Sequence, residues 1–163
     1  MVRIVRFSVF VFVLAAECRL ANAQYTREYI FAAPGGLSQA GDTKSDYHVG
    51  GGIERLLNHG IGATAEVEGI IPGRGKVRDT VGMVSIDGCY HFLREQKLNP
   101  VISGGYSLLF RATTTNLLNF GGGVHYWFED NLGLLLEFRD HIGNPSGLAR
   151  VHYWEIRLGI TFR

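Results

Sequence analysis

Apolar and polar residues alternate along most of the chain, and turn-forming residues interrupt this alternation at regular intervals. A period of two places successive side chains on opposite faces of a β-strand. Glycine interrupts nearly every segment, which disfavours helices. The pattern therefore predicts eight strands. They are Tyr25–Ala33, Tyr47–Leu57, Ile61–Ile71, Thr80–Leu93, Pro100–Arg111, Leu117–Phe128, Leu132–His141 and Val151–Phe162.

The last predicted strand separates its two faces most clearly. Its apolar face carries His152, Trp154, Ile156, Leu158, Ile160 and Phe162. Its polar face carries Val151, Tyr153, Glu155, Arg157, Gly159 and Thr161. Because a slip of one residue would exchange the two faces, the pairing register is well specified.

The connections between the predicted strands alternate in character. Short ones are Asn58–Gly60, Arg94–Asn99 and Glu129–Asn131. Longer ones, rich in Gly, Pro, Ser and Thr, are Pro34–Asp46, Pro72–Asp79, Ala112–Asn116 and Ile142–Arg150. In an up-and-down sheet with an even number of strands, these two sets lie at opposite ends. Such asymmetry is typical of transmembrane β-barrels.

Alternation alone does not say which face is inside. A soluble lipocalin-like barrel packs its apolar face inward, whereas a membrane barrel turns that face to lipid. Here the three lysines (Lys44, Lys76 and Lys97) fall in predicted connections, and aromatic residues gather at both ends of the apolar faces. These features favour an all-β, eight-stranded antiparallel up-and-down transmembrane β-barrel with a polar lumen.

The charged residues of the polar faces then lie inside the barrel, where charges must be paired and hydrogen-bonded. We predict that they form an ion-pair network in the lumen. Its members are Glu66, Glu68, Asp87, Glu137, Arg139, Glu155 and Arg157.

The N-terminus has the layout of a secretory signal peptide. Arg3 and Arg6 precede an apolar stretch, Phe7–Ala16, and the small residues Ala21 and Ala23 follow at the cleavage positions. We expect residues 1–23 to be a cleavable signal peptide and residues 24–163 to be the barrel domain, which reaches the outer membrane after export.

Composition narrows the function classes. The chain has 163 residues, 22 of them glycine, and its 16 basic and 15 acidic residues give a net charge of +1. The near balance of charge gives no indication of a nucleic-acid partner. Mean hydropathy is +0.07, as expected when an apolar face and a polar face are averaged.

Two segments resemble a known family. Leu117–Arg139 resembles the penultimate hairpin of the small bacterial outer-membrane β-barrels of the OmpA and OmpX type, and Arg157–Phe162 is similar to their C-terminal assembly signal. The resemblance implies outer-membrane lipids and the barrel-assembly machinery as partners, with Gly159 and Phe162 as assembly-signal residues. Arg163, which follows the terminal aromatic, departs from the family pattern.

A non-enzymatic envelope role, with external loops whose ligands the sequence does not name, is the main expectation. One alternative is a lipid-modifying barrel enzyme. His141-Ile142-Gly143-Asn144 is similar in placement to the His-x-Ser-Asn motif of barrel lipid A deacylases, but Gly143 stands where those enzymes have the nucleophilic serine. The other alternative is a soluble periplasmic, lipocalin-like binder of hydrophobic ligands.

No cofactor or metal site is predicted. His48, His91, His125 and His152 are scattered one per strand without the spacing of metal ligands. Removal of the signal peptide would leave Cys89 as the one cysteine, which cannot form an internal disulfide.

Overall fold

Eight strands form the whole regular structure of the described chain, apart from a short 3-10 turn at Asn58–Gly60. The computed structural model describes residues 25–74, 79–110, 113–144 and 150–163. The strands are β1 (Tyr25–Gln39), β2 (Asp42–Leu56), β3 (Ile61–Pro72), β4 (Val81–His91), β5 (Leu98–Phe110), β6 (Thr114–Trp127), β7 (Leu132–Gly143) and β8 (Val151–Phe162).

Each strand pairs antiparallel with the next, and the sheet closes on itself. The closing pair is β1 with β8, from Glu28 opposite Phe162 to Gln39 opposite Val151. The predicted all-β, eight-stranded, up-and-down barrel is confirmed. Within the ranges described, no helix is long and apolar enough to cross a membrane.

The first hairpin differs from the prediction. Pro34–Asp46 was expected to be a long connection, but β1 and β2 have 15 residues each and meet at the two residues Ala40 and Gly41. Both turn residues have positive φ angles, 51° and 87°, as tight hairpins require. Pro34 fits within β1 because the ladder to β8 is interrupted between Ala32 and Gly35, where proline has no N–H to donate.

The two ends of the barrel can now be named. The loop end carries the connections after β1, β3, β5 and β7, and the turn end carries those after β2, β4 and β6. Chain positions Tyr25 and Arg163 lie at the turn end. Because the first hairpin closes in two residues, the loop end is less loop-rich than the sequence predicted.

The outer face of the barrel is apolar, as predicted. Leu118, Leu158 and Val67 are 68%, 62% and 59% exposed, and large apolar side chains project outward from every strand. Aromatic side chains lie on this face near both ends, among them Phe92 and Phe128 at the turn end. This facing is the opposite of the lipocalin-like alternative, in which the apolar face would be inside.

The inner face is not wholly polar, which the sequence had not indicated. Towards the loop end an apolar cluster fills the lumen; its buried members are Ile70, Met83, Leu117 and Val151, packed against Leu37, Val81, Leu109 and Tyr153. A second cluster contains Tyr29, Phe31, Ala33 and Leu135. Buried Leu56 and Trp127 lie near the turn end. Apolar side chains therefore flank the charged middle of the lumen.

The predicted signal peptide, with Ala21 and Ala23 at its cleavage positions, lies outside the described residues. Lys76 also lies outside them. Lys97 is exposed in a connection at the turn end, as predicted, but Lys44 lies within β2, opposite Leu37, because the first hairpin closes later than expected.

Candidate functional site: the barrel interior

Arg157 lies in the middle of the lumen and is fully buried. Its Nη1 donates to Glu66 Oε2 at 2.6 Å, and its Nη2 donates to Glu68 Oε2 at 2.9 Å. Glu155 Oε1 lies 2.6 Å from the same Nη2. The guanidinium also lies over the Phe31 ring, 4.1 Å from its centroid. Glu155 lies two residues before Arg157 on the same face of β8, whereas Glu66 and Glu68 reach across the lumen from β3.

Arg139 forms the second half of this network. Its Nη1 donates to Glu66 Oε1 and, at 2.7 Å, to Asp87 Oδ2. Its Nη2 donates to Glu137 Oε1 at 2.8 Å. Glu66 therefore bridges the two arginines, with one oxygen on each.

All seven side chains that the sequence assigned to the lumen are buried, and ion pairs through Arg139 and Arg157 join them into one network. We call them the central network. Buried ion pairs need further hydrogen bonds from neighbouring polar groups, because each charge loses its hydration on burial.

Neutral polar side chains that the sequence analysis did not select complete the hydrogen bonding. Asn119 Nδ2 donates to Asp87 Oδ1 and to Ser107 Oγ, both at 2.7 Å. Ser107 and Ser85 share a 2.8 Å hydrogen bond, and Ser103 donates to Glu137 at 3.1 Å. The alternation of side chains places these residues on the inner face. They were missed because only the charged residues of the polar faces were assigned to the network.

Towards the loop end lies a second set of polar residues, the histidine–glutamate cluster, which contains Asp46, His48, Glu68, His141 and Glu155. His48 is at its centre and is 1% exposed. Its Nε2 lies 3.0 Å from Asp46 Oδ1. Its Nδ1 lies 3.2 Å from Glu68 Oε1 and 3.4 Å from Glu155 Oε2.

His141 joins the same cluster from β7 and is fully buried. Its Nδ1 is 2.9 Å from Ser107 Oγ, and its Nε2 is 3.5 Å from Glu155 Oε1. Among the described residues, neither His141 Nε2 nor Glu155 Oε2 has a hydrogen-bond partner. The cluster thus contains two buried polar atoms that make no hydrogen bond to the described residues.

Near the turn end, Arg27 forms a third set. Its Nη1 lies 3.4 Å from Glu54 Oε1 and 2.9 Å from His91 Nδ1, and His91 Nε2 lies 3.0 Å from the same Glu54 oxygen. The Arg27 guanidinium lies over the Trp127 ring at 5.3 Å. Arg27 and Glu54 were not selected from the sequence, because the faces of β1 and β2 had not been assigned, and His91 was considered there only as a metal ligand.

The charges buried in the described interior do not balance. The inward carboxylates are Asp46, Glu54, Glu66, Glu68, Asp87, Glu137 and Glu155, whereas the buried arginines are Arg27, Arg139 and Arg157. Seven acidic groups against three arginines leave an excess of four. Four buried histidines lie among them: His48, His91, His125 and His141.

The predicted assembly-signal residues lie on opposite faces of β8. Gly159 is buried, and a Cβ there would stand 2.5 Å from Ile30 O across the closing seam. Phe162 points outward and is 41% exposed. Arg163 lies 4.4 Å over the Trp127 ring, its N–H donates to Asn131 O at 3.3 Å, and its Nε donates to Asp130 O.

The histidine of the segment compared with lipid A deacylases does not face lipid. His141 is fully buried inside the barrel, and Gly143 at the serine position ends β7. Ser146, the nearest hydroxyl downstream in the sequence, lies outside the described residues. The geometry therefore offers no lipid-facing histidine in this segment.

Comparisons with known proteins agree with the barrel geometry. The crystal structure of Neisserial surface protein A superposes with a TM-score of 0.69 at 13% identity, over 84% of this chain and 96% of that one. The chain has the fold of the small eight-stranded outer-membrane β-barrels. At this identity, the likeness concerns the fold alone.

Two further barrels are similar. The N-terminal β-barrel domain of Pseudomonas aeruginosa OprF gives a TM-score of 0.60 at 17% identity, over 84% of this chain and 95% of that one. Ail, the attachment invasion locus protein of Yersinia pestis, gives 0.52 at 12% identity, over 84% and 97%. No protein-family model matches the sequence. No curated protein matches it either.

Proposed function

We propose that the protein is a non-enzymatic outer-membrane barrel, exported by its N-terminal signal peptide, that presents its loop end at the cell surface. The observation that carries this proposal is the division between faces. Large apolar side chains cover the outside, and paired charged side chains fill the middle of the inside. A lipid environment would stabilise that arrangement, because in water the apolar outer surface would be exposed to solvent.

We further propose that the lumen is closed to ions. A cavity inside the barrel, bordered by Tyr29, Glu54, Cys89, His125 and Arg139, has a volume of about 10 Å³. A single water molecule needs about 10–15 Å³, so this cavity holds at most one and offers no continuous path for ions. The apolar cluster around Met83 and Leu117 covers the charged network on the loop side, which supports a plugged interior.

Membrane fractionation with a heat-modifiability gel tests the location and the class together. We expect the protein in the outer-membrane fraction, with a folded band that shifts when the sample is boiled. Recovery in the soluble periplasmic fraction, without a boiling shift, would reject the membrane proposal and favour a soluble binder.

The absence of enzymatic activity is tested with the same purified, folded protein. Lipid A from detergent micelles should keep all its acyl chains after prolonged incubation, as judged by mass spectrometry. Loss of an acyl chain that requires the folded protein would contradict the non-enzymatic assignment.

Planar-bilayer recording tests the closed lumen. We expect no stable conductance step from the folded barrel, while a known porin added to the same bilayer gives regular steps. Stable steps that appear with this protein and scale with its amount would show an open path and disprove the plugged interior.

A further inference from the structure

We propose that the histidine–glutamate cluster is a binding site for a divalent transition-metal ion of the zinc class, with His48 Nδ1, Glu68, Glu155 and His141 Nε2 as ligands. One ligand atom from each of His48, Glu68 and Glu155 lies within 4.8 Å of the others. The proposal goes beyond the envelope role and does not depend on it.

The distances fit a small ion held by His48, Glu68 and Glu155. Ligand atoms about 2.0–2.1 Å from a tetrahedral zinc ion stand about 3.3–3.4 Å apart. The observed separations from His48 Nδ1 are 3.2 Å to Glu68 Oε1 and 3.4 Å to Glu155 Oε2. His141 Nε2 lies 3.5 Å from Glu155 Oε1. An ion among His48, Glu68 and Glu155 therefore requires little rearrangement, whereas the His141 ring must turn towards it to become the fourth ligand.

Both histidines are oriented by a second polar group. His48 Nε2 is held by Asp46 Oδ1 at 3.0 Å, and His141 Nδ1 is held by Ser107 Oγ at 2.9 Å. The other ring nitrogen of His48 faces Glu68 and Glu155, and that of His141 faces Glu155. Metal-binding histidines usually have such an outer partner, which fixes the tautomer and the direction of the ring.

The unpartnered atoms point to a ligand. Glu155 Oε2 and His141 Nε2 are fully buried and have no hydrogen-bond partner among the described residues. A buried polar atom without a partner is destabilising. A cation bound by Glu155 Oε2 would satisfy that atom directly, and His141 Nε2 as well once its ring turns towards the ion, whereas a proton on His48 leaves His141 Nε2 unchanged.

The local charge favours a dication. Asp46, Glu68 and Glu155 contribute three negative charges, and Arg157 contributes one positive charge that it shares with Glu66 and Glu137. Arg157 contacts Glu68 Oε2 and Glu155 Oε1, so it leaves free the oxygens that face His48. With neutral histidines, the cluster carries a net charge of about −2, which a dication neutralises.

The donor set selects among metals. Two imidazole nitrogens with two carboxylates suit zinc and its neighbours, whereas calcium and magnesium prefer oxygen ligands alone. The other ligand-like group, Glu54 with Cys89 and His91, is less suitable because the Arg27 guanidinium lies against both ring nitrogens of His91, 2.9 Å from Nδ1 and 3.4 Å from Nε2. Arg157, by contrast, leaves the ligand atoms that face His48 free.

The experiment uses the full barrel refolded in detergent with Zn²⁺ or Co²⁺ and then passed over a desalting column. We expect about one zinc per folded barrel by elemental analysis, and Co²⁺ absorption in the visible range typical of tetrahedral coordination. Folding is followed independently by the boiling shift on a gel. Folded wild-type protein that retains no zinc and gives no Co²⁺ spectrum would overturn the proposal.

Variants localise the site. His48→Gln and His141→Gln should each lose stoichiometric zinc, and Asp46→Asn should weaken binding by about 10–100-fold through loss of the outer partner. His152→Gln is the matched control, because His152 pairs with Asp140 outside the cluster, at 2.9 Å. If a ligand variant fails to fold, Asp46→Asn and Ser107→Ala provide the test. Equal zinc retention by wild type, the folded cluster variants and the control would contradict the assignment.

Discussion

At the scale of single residues, Arg157 is the clearest case of a side chain whose role depends on its surroundings. It contacts carboxylates from β3, β7 and β8. The sequence identified it as an inward-facing charge because it alternates with Ile156 and Leu158. It did not identify Arg27 or His48, since glycines and an unassigned facing obscured the alternation in β1 and β2.

Replacing Arg157 with alanine should destabilise the barrel by about 3–5 kcal/mol, because it leaves buried carboxylates uncompensated. Reversible urea unfolding in detergent, followed by tryptophan fluorescence, measures the change. Arg150→Ala is the control, since Arg150 is exposed at the loop end. Equal free energies of unfolding for Arg157→Ala and the wild type would rule out a stabilising network.

At the scale of strands, the period of two located all eight elements, and their ends were predicted less well. The strands β1 and β2 extend well into the segment Pro34–Asp46 because continued pairing with each other satisfies their backbone groups. Local composition, rich in Gly, Pro and Ser, suggested a loop there. The pairing partner, which composition does not encode, overrode that tendency.

The orientation of the barrel in the membrane can be tested by placing an arginine on the outer face at two different depths. Leu158→Arg should destabilise the barrel by about 2–4 kcal/mol, because Leu158 lies in the middle of the strand on the outer face. Leu98→Arg, also outward but at the turn end of β5, should change stability by about 0–1 kcal/mol. Unfolding in lipid vesicles gives both values. Equal effects at the two positions would contradict the membrane orientation.

At the scale of the whole molecule, closure joins the first strand to the last. Gly159 lies at this seam, where a Cβ would stand 2.5 Å from Ile30 O and 3.1 Å from Phe31 Cβ. The resemblance to an assembly signal drew attention to this glycine. The structure adds a steric reason for a small residue there, and that reason does not involve the assembly machinery.

Gly159→Ala should therefore lower the fraction of chains that fold in detergent alone, where no assembly machinery is present. Gly88→Ala is the matched control, because a Cβ there would meet only Gly104 O, at 4.0 Å. The boiling shift on a gel measures the folded fraction. If both variants fold as completely as the wild type, the seam tolerates the extra atom and the steric argument fails.

The sequence by itself determined the number of strands, the two faces of most of them and the charged residues that must lie inside. These properties follow from the local alternation of side chains, which neighbours in the chain encode directly. The tertiary structure decided which inward residues meet, such as Glu66 with both arginines and His48 with Glu155. Those contacts join strands distant in sequence, and the closure of the barrel and the register of every pair set them.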